Sequence, residues 1–396
     1  MTVYLDHAAS SPMPAAVREA YLDALALVGN PASLHSHGQA VRAALEDGRE
    51  RIAAALGADA VEVVLTGGGT EAVNLGIKGL YWARNAGAAR PRVLVPDGEH
   101  HATTESVDWL VQAEGAVLER IPVDAEGRIR LDALEAALAR DPASIALVTA
   151  LWANNEVGTV QPVARIVELA HAAGVPVHLD AIAAFGYLPI DVHAVGAEAV
   201  SVSAHKVGGP VGVGALVVAR GARVEPLLHG GSQQRARSGT QDAAGAVAFG
   251  LAATLATASL AEHADRLARL RDRLVAGMLS AVPGAVLRGA PPGPERLPGN
   301  AHVTIEGCES DSLLYLLDLA GYSVSAGSAC QAGVARPSDV VLALGVPEEL
   351  ARGSLRITLG PETTEAEVDG FLAVLPDAVA RARAAGLAAR EPALGR

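Results

Sequence analysis

VPVHLDAIAAFGYLPIDVHAVGAEAVSVSAHK, residues 175–206, is the stretch from which the rest of the chain can be read. It contains two short apolar runs, Val175–Leu179 and Ala199–Ser203, each followed by polar residues: Asp180 after the first, His205 and Lys206 after the second. Runs of this length and composition predict buried strands. As neighbouring parallel strands they bring Asp180 and Lys206 together at the carboxyl edge of a sheet, where α/β proteins bind ligands.

The same texture continues in both directions. Val61–Leu65, Arg92–Val95, Val117–Val123, Ile145–Ala150 and Gly214–Ala219 are further candidate strands, with helical patterns at Thr70–Asn85, Leu131–Ala139 and Val163–Ala173. Continuous apolar strands separated by helices predict an α/β fold whose mostly parallel, seven-stranded sheet is covered on both faces. From about Asp242 a long helical run reaches Leu279, followed by the Pro/Gly-rich Pro283–Gly299 and a mixed α+β segment. The expected organisation is a large α/β domain over residues 16–255. A smaller α+β domain takes residues 1–15 and 256–396.

Composition narrows the functional classes. The 396 residues are 50% hydrophobic, and glycine is abundant (42) while aromatics are only 3%, which favours close helix packing. A net charge of −13 argues against a nucleic-acid or membrane-surface binder, since either needs a basic face. Two cysteines, Cys308 and Cys330, are too few for a disulfide framework or a four-cysteine zinc site. With no secretory signal and no long apolar run, a cytoplasmic location is expected.

Three further stretches carry chemistry. Thr66-Gly67-Gly68-Gly69-Thr70-Glu71 follows a strand and opens a helix, so its free N–H groups and positive helix end suit a phosphate, unless it is an ordinary tight turn. Lys206, just past a buried strand, suits a Schiff base with an aldehyde cofactor, because burial lowers an amine's pKa. Asp180 beside it can pair with a pyridinium nitrogen and keep the ring an electron sink. His100 and His101 follow another strand without further ligands at metal-binding spacing, so a ring-stacking, proton-shuttling imidazole is expected and no metal. In Asn154-Asn155-Glu156 an amide either orients a cofactor or substrate carboxylate, or serves a turn by bonding its own backbone.

Together these residues resemble the cysteine desulfurases, class V aminotransferase-like enzymes with the fold-type-I pyridoxal-phosphate architecture. The resemblance runs through nearly the whole chain: YLDHAA (Tyr4–Ala9), GNPAS (Gly29–Ser33), GGTEAVNL (Gly68–Leu75), EHH (Glu99–His101) and NNEVG (Asn154–Gly158). It continues through HLDA (His178–Ala181), SAHK (Ser203–Lys206), RSGT (Arg237–Thr240), GSAC (Gly327–Cys330) and SLRITLG (Ser354–Gly360), and is strongest toward actinobacterial members. It implies that Lys206 binds pyridoxal 5'-phosphate, Asp180 pairs with the ring nitrogen, and His100 stacks on the ring as acid/base. Gly69, Thr70, Ser203 and His205 would hold the phosphate, and Thr240 would reach the phosphate in the other subunit of a homodimer. Arg356, helped by Asn155, would grip the carboxylate of L-cysteine. Cys330, on a loop at residues 325–337, would take the sulfur as a persulfide and pass it to an acceptor or iron-sulfur scaffold protein, for iron-sulfur clusters, thiolated cofactors or tRNA. The length of that loop resembles the branch that hands persulfide on directly.

One position departs from the pattern. Where the family usually has a glutamine bonding the ring's phenolate oxygen, this chain has Ala183. That keeps open a related C–S lyase or a selenocysteine lyase-like enzyme in a specialised pathway, and also a catalytically weak sulfur-transfer protein. Cys308 reads as a small buried hydrophobe.

Overall fold

The structure is a computed structural model that describes residues 2–327 and 337–390. Its strands, in chain order, are β1 (Val3–Tyr4), β2 (Val63–Thr66), β3 (Arg92–Pro96), β4 (Val117–Ile121), β5 (Ile145–Leu151) and β6 (Val177–Asp180). They continue with β7 (Ala199–Ser203), β8 (Gly214–Val218), β9 (Ala285–Leu287), β10 (Asn300–Ile305), β11 (Tyr322–Ser323) and β12 (Ser354–Thr358). A seven-stranded sheet runs β2-β8-β7-β6-β5-β3-β4, parallel except for β8, which is antiparallel to both neighbours. The expected seven strands are all present, within a few residues of their predicted ends. Every residue of β5 is buried, as covering helices on both faces require.

A second sheet, β12-β10-β9, is antiparallel, and a two-stranded piece joins β1 to β11. The N-terminus is therefore sewn into the C-terminal part: Leu5 packs with Leu267, Leu274, Val303, Ile357 and Phe371 in one apolar cluster. Asp6 also bridges to Thr358, the last residue of β12.

The expected helical run from Asp242 to Leu279 is two helices, Ala243–Ala258 and Leu260–Ala281, bent by 69° at Ser259. The reason lies in which core each half joins. Ala246, Phe249 and Ala253 pack under the large sheet, whereas Leu267, Leu270 and Leu274 pack on the small one. The first helix lies so close to the helix Ser36–Ala55 that a Cβ on Gly48 would stand 2.5 Å from the Ala246 carbonyl oxygen. No single helix among the described residues is long and apolar enough to cross a membrane.

Candidate active site

The carboxyl ends of β3, β5, β6 and β7 converge on one polar patch. Asp180, the last residue of β6, is 2% exposed, and its Oδ1 accepts the Ile182 amide at 2.9 Å. Burial, only partly offset by that amide and by Lys206, pushes its carboxyl up to about 6. Lys206 lies in a short 3-10 turn after β7, and its Nζ donates to the carbonyls of Ala8 (2.6 Å) and Ala9 (2.9 Å). Burial, with the nearby Arg356 charge, brings the amine down to about 8, against the pull of Asp6 and Asp180. An amine so placed is neutral in a useful fraction near neutral pH, which is what imine formation needs.

His100 caps the helix His101–Glu114, its Nδ1 accepting the Ala102 amide at 3.0 Å. Burial and the Lys206 charge push it down to about 4, so the ring is neutral and carries its proton on Nε2. Glu99 beside it is buried: Oε1 accepts the Leu151 amide at 2.8 Å, and Oε2 has no partner among the described residues. Burial, followed at a distance by the charge of Asp180, holds its carboxyl well above the usual range. The EHH segment was quoted for its histidine; nothing in its letters says that Glu99 is buried.

The glycine turn lies between a strand and a helix, as expected. Gly68 has φ +135°, and a Cβ there would meet nothing within 4 Å. It is followed by the helix Gly69–Asn85, whose first N–H groups have no intrahelical acceptor. A Cβ on Gly69 would come within 3.1 Å of the Ser203 Cβ, so β7 closes the same cradle, and the buried Ser203 Oγ has no hydrogen-bond partner among the described residues. His205 is half-buried and brought down to about 4 by burial and Lys206. Thr70 and Thr240 are exposed. Arg237 of the RSGT segment pairs with Glu71 at 3.1 Å, which sets that segment against the first turn of the same helix.

The turn reading holds for Asn154: its Oδ1 accepts the amides of Glu156 (2.9 Å) and Val157 (3.0 Å) and its Nδ2 donates to Gly98 O (3.0 Å). Asn155 makes no side-chain hydrogen bond among the described residues and lines a small cavity with Ala183, Lys206, His7 and Tyr187. Arg356, on β12, donates Nη1 to Asn155 O at 3.0 Å and Nη2 to Asp6 Oδ1 at 2.9 Å. Asp6, Ala8 and Ala9 belong to YLDHAA, to which the sequence assigned no role; their reach to Lys206 and Arg356 depends on the long-range pairing of β1, invisible locally.

Cys330 lies outside the described residues. The described residues on either side approach Glu156: Ser338 Oγ donates to its Oε2, and a Cβ on Gly327 would stand 2.9 Å from that oxygen. Cys308 is 3% exposed in the small-sheet core, where burial pushes its thiol up.

Comparison with known proteins identifies the family. The family model described as aminotransferase class-V matches residues 3–371. The chain is 51% identical over 388 residues to an IscS-like cysteine desulfurase of Mycobacterium tuberculosis, covering 98% of each protein. To the cysteine desulfurase IscS of Methanosarcina thermophila it is 40% identical, covering 96% of this chain and 93% of that one. Among solved structures, a NifS-like protein superposes with a TM-score of 0.87 at 32% identity, over 96% of this chain and all (100%) of the other. SspA in complex with cysteine gives 0.77 at 30% identity, over 92% of this chain and 100% of that one.

Proposed function

Because the chain belongs to the aminotransferase class-V family, we propose that it is a pyridoxal-phosphate-dependent cysteine desulfurase that turns L-cysteine into L-alanine and leaves the sulfur on Cys330. The observation that carries the reading is the buried pair of Lys206, its amine brought down to about 8, and Asp180 at one sheet edge. The described residues fit the cofactor. The unpartnered Ser203 Oγ and the open glycine cradle suit a phosphate, and Asp180 suits a ring nitrogen.

When bound, pyridoxal phosphate supplies an aldehyde carbon for amines and a ring that draws electrons from the α-carbon of an attached amino acid. The chain's own residues do the rest. Lys206 Nζ holds the cofactor until substrate arrives, then takes the Cα proton. His100 is positioned to move protons through its free Nε2–H. Arg356 turns its guanidinium to the substrate carboxylate, with Asn155 alongside. The Cys330 thiolate attacks the substrate Sγ: an S–S bond forms, the Cβ–Sγ bond breaks, and its electron pair goes to Cβ, which gains a proton to become the methyl group of alanine.

The finer parts of the reading rest on the resemblance. Thr240 serves the partner's site in a homodimer, and a sulfur-acceptor or iron-sulfur scaffold protein takes the persulfide in the cytoplasm. The chain divides into residues 16–255 and a smaller unit of 1–15 with 256–396, a division supported by the packing of Leu5 with the C-terminal core. Purified protein given L-cysteine tests the function. A desulfurase forms alanine, with sulfur retained on the protein; pyruvate and free sulfide would instead indicate a C–S lyase.

A further inference from the structure

His302 and Arg356 stand opposite each other on the small sheet, and each leaves a buried nitrogen without a partner. The register pairs His302 of β10 with Arg356 of β12. On its other side Arg356 exchanges both backbone hydrogen bonds with Ser325, at 2.6 and 3.1 Å. His302 and Arg356 are therefore a non-hydrogen-bonded pair, the kind in which opposing side chains approach most closely.

The ring of His302 is 0% exposed, and among the described residues neither of its nitrogens, nor the buried Arg356 Nε, makes a hydrogen bond of good geometry. The remaining guanidinium nitrogens already hold Asn155 O and Asp6 Oδ1. An Nε–H only donates, and a neutral imidazole offers one accepting nitrogen, so the two unpartnered groups are complementary. Burial first, then the charges of Arg356, Arg296 and Arg288, push the ring down to about 3, opposed only by the Ala326 backbone. The ring is thus an acceptor throughout the physiological range.

We propose that His302 is a positioning residue for substrate binding: its ring accepts the Nε–H of Arg356 and fixes the plane of the guanidinium. Nη1 and Nη2 are then free to leave Asn155 and Asp6 together for the α-carboxylate of an amino-acid substrate. A planar fork binds a carboxylate with two parallel bonds only when its plane is held. Asp6 supplies the carboxylate that keeps the buried cation paired until then. This inference rests on the reading of Arg356 as the carboxylate grip.

The experiment compares His302→Leu with His302→Asn, which keeps an acceptor. Binding of L-alanine (carboxylate, no sulfur) and of cysteamine (no carboxylate) is followed on the holoenzyme by the visible spectrum, together with KM and kcat for L-cysteine. His302→Leu is expected to weaken L-alanine and raise KM for cysteine about tenfold, the size of one hydrogen bond to a charged group. Cysteamine binding should not change, kcat should move far less than KM, and His302→Asn should recover most of the loss. Unchanged L-alanine affinity in His302→Leu, or equal weakening of both ligands, overturns the proposal. If the leucine variant does not fold, His302→Met against His302→Gln makes the same comparison with the same two outcomes. Arg356→Lys separates the premises: if it leaves L-alanine affinity intact, the grip reading itself fails, whereas a silent His302 series beside a weakened Arg356→Lys removes only the present inference.

Discussion

The two sheets contribute to the site in opposite ways. At the carboxyl edge of the seven-stranded sheet the charged groups are under-partnered: Asp180 is pushed up to about 6, Glu99 well above its usual range, and Lys206 down to about 8. On the three-stranded sheet, Arg356 already holds a carboxylate and a carbonyl, from Asp6 and Asn155. The first edge suits a bound cofactor and proton transfers near neutral pH. The second holds a paired cation that must exchange one carboxylate for another. Burying ionisable groups without full pairing costs stability, and such groups gather where chemistry is done.

The comparison breaks most visibly at Lys206. Lys206→Ala is expected to abolish the visible band of the bound cofactor and to slow alanine formation by roughly 10³-fold or more; an unchanged spectrum would leave the large-sheet edge without its central group. Arg356→Lys keeps the charge but loses the fork. It should raise KM for L-cysteine on the order of tenfold to a hundredfold while the cofactor band stays in place. Steady-state kinetics beside a spectrum separates that result from a general loss of folding.

A subtler test uses pH. In cofactor-free protein Asp180 holds its proton up to about 6, where its ordinary value is 3.8. Between those values the folded state keeps a proton that the unfolded chain has released, so stability falls as pH rises through this window. The effect is at most about 3 kcal/mol. Denaturant unfolding of Asp180→Asn should lack that fall, and a parallel decline in both proteins would assign it to other groups. Ala183→Gln carries the smallest expected effect. It returns an amide donor to the cavity lined by Asn155 and Lys206. The pH midpoint of the cofactor band should then shift by less than about one unit.

How much was legible depended on distance along the chain. The strands follow from local pattern, and so do the positions of the glycine turn, Asp180, Lys206 and His100, because each lies just past a short apolar run; the cap that His100 makes on its helix does not. Asp6, Ala8 and Ala9 do not, since they meet Lys206 and Arg356 only after β1 has paired with β11 across nearly the whole sequence. His302 was hidden for another reason: alternation along β10 puts it with Asn300 and Thr304 on the face opposite Ala301, Val303 and Ile305, without saying that it is buried or which cation stands opposite. The kink at Ser259 was missed because both halves of that run are helical, and only the two separate cores demand a bend.

Cysteine desulfuration by Cys330 is the central claim, and locating the transferred sulfur tests it most directly. Protein given one equivalent of L-cysteine without reductant, then alkylated and digested, is read by peptide mass. The account predicts one extra sulfur on the peptide containing Cys330, alanine in matching amount, and an unmodified Cys308. It also predicts that Cys330→Ser keeps the cofactor band and its change on cysteine binding, yet forms almost no alanine. Alanine formation at the parent rate in Cys330→Ser, or the extra sulfur on Cys308, would contradict it.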